Sequence, residues 1–427
     1  MKKLFLFFFA FFLLISCSTL PQKTVDEKGS YAWKPEKFEL NQQNAAFSAE
    51  GAVTMWIDVE QFKGKFTGDY QILSSDPEKW RMIITGLKDA DALIVRTRTK
   101  CNAELLEGSK ISFIATATIG YDHIDTKWCE SNGIRWTNAP GCNSWSVQQY
   151  MGSLLVNMSR QFGFNFKDKT IGIVGVGNVG SKVARLAALL GFRVLLCDPP
   201  RAKQEGTGAF VSLDEIISQS DIITLHVPLI RNGEDATFHL FDNTRLESLN
   251  ENQILINTSR GEVVDGNALK KVLKEQRIRA AALDVWENEP QIDKELLDLL
   301  YSGTPHIAGY SLDGKAVGTM MCIQALGRFF DLPCQDWEVK DIPMPAQPTE
   351  FTIDVSGKKP QEVLADAILY TYNVLNDDSI LRADIASFEK QRSNYPVRRE
   401  FPAFSVNLQN DDSGRSTVFL REAGFNI

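Results

Sequence analysis

The chain of 427 residues is long enough for two or three domains, and 44% hydrophobic with 23% charged residues is the composition of a globular protein with a full-sized core. A net charge of -8 argues against nucleic acid as a partner, because neutralising phosphates needs a basic face. The seven cysteines are odd in number and include no C-x-x-C pair, so they read as reduced thiols, with neither a disulfide framework nor a zinc site.

The first element in chain order is a leader. Lys2 and Lys3 precede an apolar run from Leu4 to Ile15, too short to span a bilayer as a helix and laid out like a secretory signal. The following "LISC" resembles the bacterial lipoprotein cleavage box, with Cys17 as the residue that would be lipidated. Residues 21–52 are polar and weakly patterned, a linker, so residues 1–52 form a lipoprotein-like signal segment. From Val53 the texture changes. "VTMWIDV", "ADALIVRTRT" and "ISFIATATIG" are strand-like, with the helix-prone "DPEKWRMIITGLKDA" between them, and strands alternating with helices imply a parallel sheet. A second series begins at Lys169 and continues through "LDEIISQSDIITLHV", "RLESLNENQILINTS" and "LKKVLKEQRIRAAALDVW". The helical "GKAVGTMMCIQALGRFF" and a Pro-rich break at 342–348 lead to a last segment that opens with strand-like "TEFTIDVSG". The expected fold is α/β: two Rossmann-like, doubly wound parallel-sheet domains plus a small C-terminal α+β domain. Their expected boundaries are 53–145 with 307–332, then 146–306, then 335–427.

"GVGNVG" places Gly175, Gly177 and Gly180 in G-x-G-x-x-G spacing, with Asn178 and Val179 between the last two. Alone the pattern is weak; directly behind the buried-strand run "TIGIV" and ahead of the helical "SKVARLAALLG" it is strong. The first glycine permits the tight turn, the second admits a pyrophosphate to the backbone, and the third lets helix and strand pack closely. The next strand ends in Asp198, about 20 residues on, where a carboxylate accepts from ribose hydroxyls and repels a 2′-phosphate. NAD is therefore favoured over NADP, a preference that the nearby Arg201 weakens.

Three later stretches put polar residues at the ends of apolar runs, where doubly wound sheets build their sites. Arg260 follows a strand in "ILINTSRGEVVD", Asp284 ends one and Glu289 lies beyond it in "AALDVWENEP", and His306 sits in "TPHIAGYS". Oxidising a hydroxy acid needs a cation for the carboxylate, best a bidentate guanidinium. It also needs a base for the hydroxyl proton and a carboxylate to orient that base. Arg260, His306 and Glu289 fit those roles in turn. Each taken alone reads as a surface Arg, a core His or a loop Glu; their order behind a dinucleotide fingerprint is what carries the assignment.

"GIVGVGNVG", "NTSRGEVVD", "LDVWENEP" and "HIAGYS" together resemble the D-2-hydroxyacid dehydrogenase superfamily. Within it the similarity is to the erythronate-4-phosphate dehydrogenases of vitamin B6 biosynthesis, through "TATIGYDHID", "APGCNSWSV", "LLCDPPRA", "HIAGYSLDGKA" and "FEKQRSNYPVRREF". The resemblance runs from about residue 53 to the C-terminus. It implies Arg260 and Glu289 in the active site and His306 as proton donor and acceptor. It further implies Asp198, Asp284 and Gly309 at the cofactor, and Thr97, Thr118 and Tyr310 at the substrate. Thr97 stands where the family commonly has Ser, and Val227 where relatives carry Thr beside the cofactor. The implied reaction is NAD-dependent oxidation of 4-phospho-D-erythronate by a homodimer that associates through the segment from about 335. The basic cluster Arg96, Arg98 and Lys100, at the end of an apolar run, agrees with a phosphorylated substrate.

The leader conflicts with this reading, since an exported enzyme would meet little NAD; Met55 offers a start without it. The expectation is a cytoplasmic enzyme, with a form anchored through Cys17 as the alternative. Competing readings are another dehydrogenase of the superfamily (for phosphoglycerate, hydroxypyruvate or glyoxylate), a non-catalytic NAD-sensing binding protein, and a lipoprotein with a merely structural dehydrogenase-like domain.

Overall fold

A computed structural model describes residues 90–97, 99–332, 334–339 and 342–427, together with the backbone of Thr24–Val25, Tyr31–Ala32 and Met55–Ile57. The leader with Cys17, the linker side chains, the helix-prone stretch before residue 90 and Arg98 lie outside the described residues. The chain divides into two compact units, Met1–Asn143 with Leu312–Pro343, and Ser144–Ser311 with Met344–Ile427.

In the first unit β1 (Met55–Ile57), β2 (Ala92–Val95), β3 (Phe113–Thr116) and β4 (Arg135–Thr137) pair in that order, all parallel. Every residue of β2 and β3 is buried, so their sequences are uninterrupted runs where a one-sided sheet would alternate. The long helix Leu312–Phe330 packs on β3, where Phe329 stacks on Phe113 at 4.7 Å between ring centroids.

The second unit contains six parallel strands: β5 (Thr170–Val174), β6 (Arg193–Cys197), β7 (Ile222–Leu225), β8 (Ile254–Asn257), β9 (Ala280–Leu283) and β10 (Ser302–Gly303). Their order across the sheet is β6-β5-β7-β8-β9-β10. The chain moves outward from β5 to β6, then returns past β5 and continues the other way. The crevice at that reversal, beyond the carboxyl end of β5, is where this class of sheet holds ligands.

The helix Ser144–Phe162 is not among the elements that the sequence pattern marks. Fourteen of its residues are buried, Ser146, Gln148, Gln149, Ser153 and Asn157 among them, so it lacks the one-sided apolar stripe of a surface helix. It is covered on one side by the sheet and on another by residues 344–427. That segment contributes β11 (Glu350–Asp354) and β12 (Ser405–Gln409), a parallel pair, with helices Pro360–Thr371, Val374–Ala383, Phe388–Ser393 and Arg415–Ala423. Leu154, Val183 and Leu186 share one core with Leu364, Ile368, Phe404 and Leu420. The six described cysteines are buried and unbridged.

Candidate active site

Because all strands of the six-stranded sheet run the same way, the residues that follow them share one edge of it. Gly175, Asp198 and Val227 follow β5, β6 and β7; Arg260, Asp284 with Glu289, and His306 follow β8, β9 and β10. One half of the edge thus takes the residues expected at the nucleotide and the other half those expected as acid, base and cation.

The glycine loop has the shape that a dinucleotide requires. Gly175 has φ 86°, and a Cβ there would lie 2.6 Å from the His226 carbonyl oxygen; a Cβ on Gly180 would lie 1.9 Å from the Gly175 oxygen. Gly177 faces open space instead and precedes the helix Asn178–Leu190, whose first amides, those of Asn178 and Val179 included, have no acceptor within the helix. The Asp198 carboxylate accepts from the Val176 amide at 2.8 Å and from the Arg201 amide at 3.1 Å, tying the end of β6 to the glycine loop. Arg201 spends its guanidinium on Glu205, at 2.8 and 2.7 Å, and on the Val176 carbonyl at 2.6 Å. The residue that weakens the NAD preference in sequence is thus already engaged. The site fits NAD.

The pair expected to work as acid and base is in contact. His306 Nδ1 lies 2.8 Å from Glu289 Oε2, and Glu289 Oε1 accepts from the Trp286 amide at 2.9 Å. Burial alone raises the Glu289 carboxyl, but His306 beside it, Arg392 and the Trp286 amide outweigh that and hold it below the ordinary glutamate value. An ionised carboxylate only accepts, so Nδ1 is the donor between them, and a neutral ring held this way presents Nε2 as the acceptor, the tautomer a general base needs.

Asp284 has a different environment. It is buried; Oδ1 accepts from the Thr304 hydroxyl at 2.6 Å and the Ile307 amide at 2.7 Å, and Oδ2 from the Ala308 amide at 2.9 Å. Burial raises its carboxyl despite the opposing charge of His306 and these donors. Tyr150 extends the chain of bonds to the Thr304 hydroxyl at 2.8 Å. The carboxylate expected at the cofactor therefore also ties down the loop that carries His306.

Arg260 reaches the same edge through a turn that sequence reasoning missed. Asn257 donates from its side chain to the Arg260 carbonyl at 2.8 Å and accepts from Ser259. Gly261 then abuts the loop after β9: a Cβ there would lie 2.0 Å from the Trp286 carbonyl. The glycine after Arg260 is the signal for that close approach. Gly309 and Tyr310 complete the loop; Tyr310 is buried against Tyr395, with ring centroids 5.9 Å apart, and Arg392 stands 5.7 Å from its ring. His226 sits between the hydroxyls of Thr224 at 3.1 Å and Thr258 at 3.3 Å, and burial pushes its imidazole from 6.5 down to about 3. In the first unit Arg96 and the exposed Thr97 follow β2, and Thr118 follows β3, donating to the Gly120 carbonyl at 2.8 Å and sharing a hydrogen bond with the Thr116 hydroxyl at 2.7 Å. Among the described residues no cluster could hold a metal ion and no helix is long and apolar enough to cross a membrane.

Comparison with known proteins agrees with this edge of the sheet. Residues 142–308 match the NAD-binding domain of the D-isomer specific 2-hydroxyacid dehydrogenases, residues 57–153 match their catalytic domain, and residues 345–420 match a domain of unknown function. The chain is 49% identical over 320 residues to an erythronate-4-phosphate dehydrogenase of Bacteroides thetaiotaomicron, covering 75% of this chain and 89% of that one. It is 44% identical over 346 residues to the enzyme of that name from Proteus mirabilis, covering 80% and 91%. Among solved structures, the NAD-dependent formate dehydrogenase of Staphylococcus aureus in complex with NAD is 27% identical with a TM-score of 0.50, over 65% of this chain and 88% of that one. An acyclic imino acid reductase in complex with NADPH and D-Arg is 24% identical, TM-score 0.53, over 66% and 98%, and shares the fold. With a glycine loop shaped for a dinucleotide, a formed Glu–His pair and relatives alike along most of their length, the chain belongs to the family of D-isomer specific 2-hydroxyacid dehydrogenases.

Proposed function

We propose that the protein oxidises 4-phospho-D-erythronate to (R)-3-hydroxy-2-oxo-4-phosphooxybutanoate with NAD, in the route to pyridoxal 5′-phosphate. The Glu289–His306 bond at 2.8 Å is the observation that carries the reading, because it makes a sided base out of a loop histidine. The similarity to erythronate-4-phosphate dehydrogenases supports the choice of substrate. His306 Nε2 takes the proton from the hydroxyl at C2, and Glu289 keeps the ring in the tautomer that can accept it. Arg260 holds the substrate carboxylate, and Tyr310, Thr97, Thr118 and Arg96 bind the remainder of the substrate, Arg96 its phosphate. Gly175, Gly177, Asn178, Val179, Gly180, Asp198, Val227, Asp284 and Gly309 bind the cofactor. When bound, NAD supplies the acceptor for the hydrogen and electron pair leaving C2.

The homodimer is assigned to the segment from about 335, supported by the exposed apolar side chains Tyr370, Ile380 and Val418. The cytoplasm is the compartment that supplies the cofactor; lipidation of Cys17 would instead anchor the chain to a membrane. Turnover of 4-phospho-D-erythronate and 3-phospho-D-glycerate with NAD and of glyoxylate with NADH, measured in parallel on protein beginning at Met55, tests the assignment. A kcat/KM preference for phosphoerythronate of about a hundredfold, roughly 2.7 kcal/mol of transition-state discrimination, is expected. Equal rates on the other acids would leave a general hydroxy-acid dehydrogenase, and no turnover of any would favour an NAD-binding protein.

A further inference from the structure

We propose that Arg398, in the C-terminal segment, is a positioning residue of the active site: it holds the loop of His306 at the Ala308 carbonyl. The inference rests on the reading of Glu289 and His306 as the acid/base pair. His306 has φ 56°, the left-handed region that side chains other than glycine avoid, so its loop must be held in place by its surroundings. Asp284 holds one side: its main-chain carbonyl accepts from the His306 amide at 2.7 Å, and its carboxylate accepts from the amides of Ile307 and Ala308. These bonds take the amides of His306, Ile307 and Ala308, and with the Ile307 carbonyl accepting from the Tyr310 amide at 2.9 Å the Ala308 carbonyl is left to other donors.

Arg398 takes the other side. Its Nη2 donates to the Ala308 carbonyl at 2.6 Å and to the Ser146 hydroxyl, across 90 and 252 residues of chain. Ser146 donates to the same carbonyl at 2.9 Å and accepts from the Ser311 amide at 3.0 Å; the Ser311 hydroxyl donates to Glu400 at 2.6 Å. Ser146, Ser311, Arg398 and Glu400 are all buried. One hydroxyl that donates once and accepts twice is fully used, and a buried guanidinium is costly unless its partners are specific. The rings of Tyr372 at 4.5 Å and Tyr395 at 5.7 Å, from the same segment, seat the cation. The C-terminal segment therefore fixes the far end of the loop whose near end is the Glu289 contact.

Arg398→Lys in the full chain tests this, because lysine keeps the charge but not the planar guanidinium, whose Nη2 reaches the Ala308 carbonyl and Ser146 while Nη1 donates to the Tyr395 hydroxyl at 3.4 Å. A fall in kcat of about tenfold or more is expected, with KM and the NADH dissociation constant within about threefold of wild type. A second readout needs no substrate: ring nitrogen–proton correlations of the four histidines, with His306 identified by its loss in His306→Gln. The His306 signal should move in Arg398→Lys while those of His123 and His239 stay. An unchanged kcat, an unmoved His306 signal in the folded variant, or kcat, NADH affinity and melting temperature falling together would overturn the proposal. If Arg398→Lys does not fold, Ser146→Ala removes the shared hydroxyl, retains the guanidinium and is read in the same two ways. Wild-type protein that does not oxidise phosphoerythronate would overturn the functional reading alone, since the ring signal still decides whether Arg398 positions His306.

Discussion

His306 and His226 show how surroundings decide what one side chain does. His306 faces Glu289, whose carboxylate lies 2.8 Å from Nδ1 and is held below the ordinary glutamate value. His226 faces only the neutral hydroxyls of Thr224 and Thr258, and burial without a counter-charge drives its pKa from 6.5 to about 3. Its folded pKa is therefore depressed, and the unfolded chain takes up the proton first as pH falls. The stability from keeping this ring neutral is complete above pH 6.5 and is lost progressively as pH drops toward 3, by at most about 1.4 kcal/mol per pH unit. His226→Gln removes the titrating group. Melting temperatures at pH 7.5 and at pH 5 should thus converge more closely in the variant than in wild type. A wild-type difference fully retained in His226→Gln would show that His226 does not titrate on unfolding in this range.

At the scale of elements, the glycine loop allows a sharper contrast, because its three glycines are required for different reasons. A Cβ on Gly180 would overlap the Gly175 carbonyl, so the helix Asn178–Leu190 and β5 cannot keep their spacing with any other residue there. Gly177 has an ordinary negative φ and open space around it, so the fold tolerates a methyl group that only an approaching pyrophosphate would meet. Gly177→Ala should keep the wild-type melting temperature while NADH affinity, read by fluorescence titration, falls about tenfold or more, roughly 1.4 kcal/mol. Gly180→Ala should lower the melting temperature itself. Equal loss of stability in both variants would contradict this division. These local features are the ones that a sequence exposes: spacing of glycines, an acid at a strand end, an Arg just after a strand, a histidine after Pro305. The helix Ser144–Phe162 escapes because burial on several sides erases its periodicity. The contact of Arg398 with Ala308 escapes because the two are 90 positions apart and nothing in the chain between them specifies that they meet. Asp284 is visible as a polar residue at a strand end, but its grip on the backbone of Ile307 and Ala308 depends on where β10 returns the chain.

For the second unit as a whole, residues 344–427 complete a core that the sheet and the helix Ser144–Phe162 cannot close alone. Leu364, Ile368, Phe404 and Leu420 are fully buried in the same cluster as Leu154, Val183 and Leu186. Each such side chain contributes about 1.5–3 kcal/mol on burial, so these four together match in size the roughly 5–15 kcal/mol by which a typical domain is stable. Removing the segment would also strip the buried Gln148, Gln149, Ser153 and Asn157 of their partners in it and expose Val183 and Leu186 of the helix Asn178–Leu190. Gly152 records how close that packing is: a Cβ there would lie 2.9 Å from Leu186 and 3.4 Å from Ile368, one neighbour from each side of the junction. A chain ending at Pro343 should therefore fail to give a cooperative thermal transition and should not bind NADH. Recovery of a soluble, NADH-binding truncation with a sharp melt would make the C-terminal segment an appendage. It would also require that the face of Ser144–Phe162 be covered by something other than the residues packed on it here.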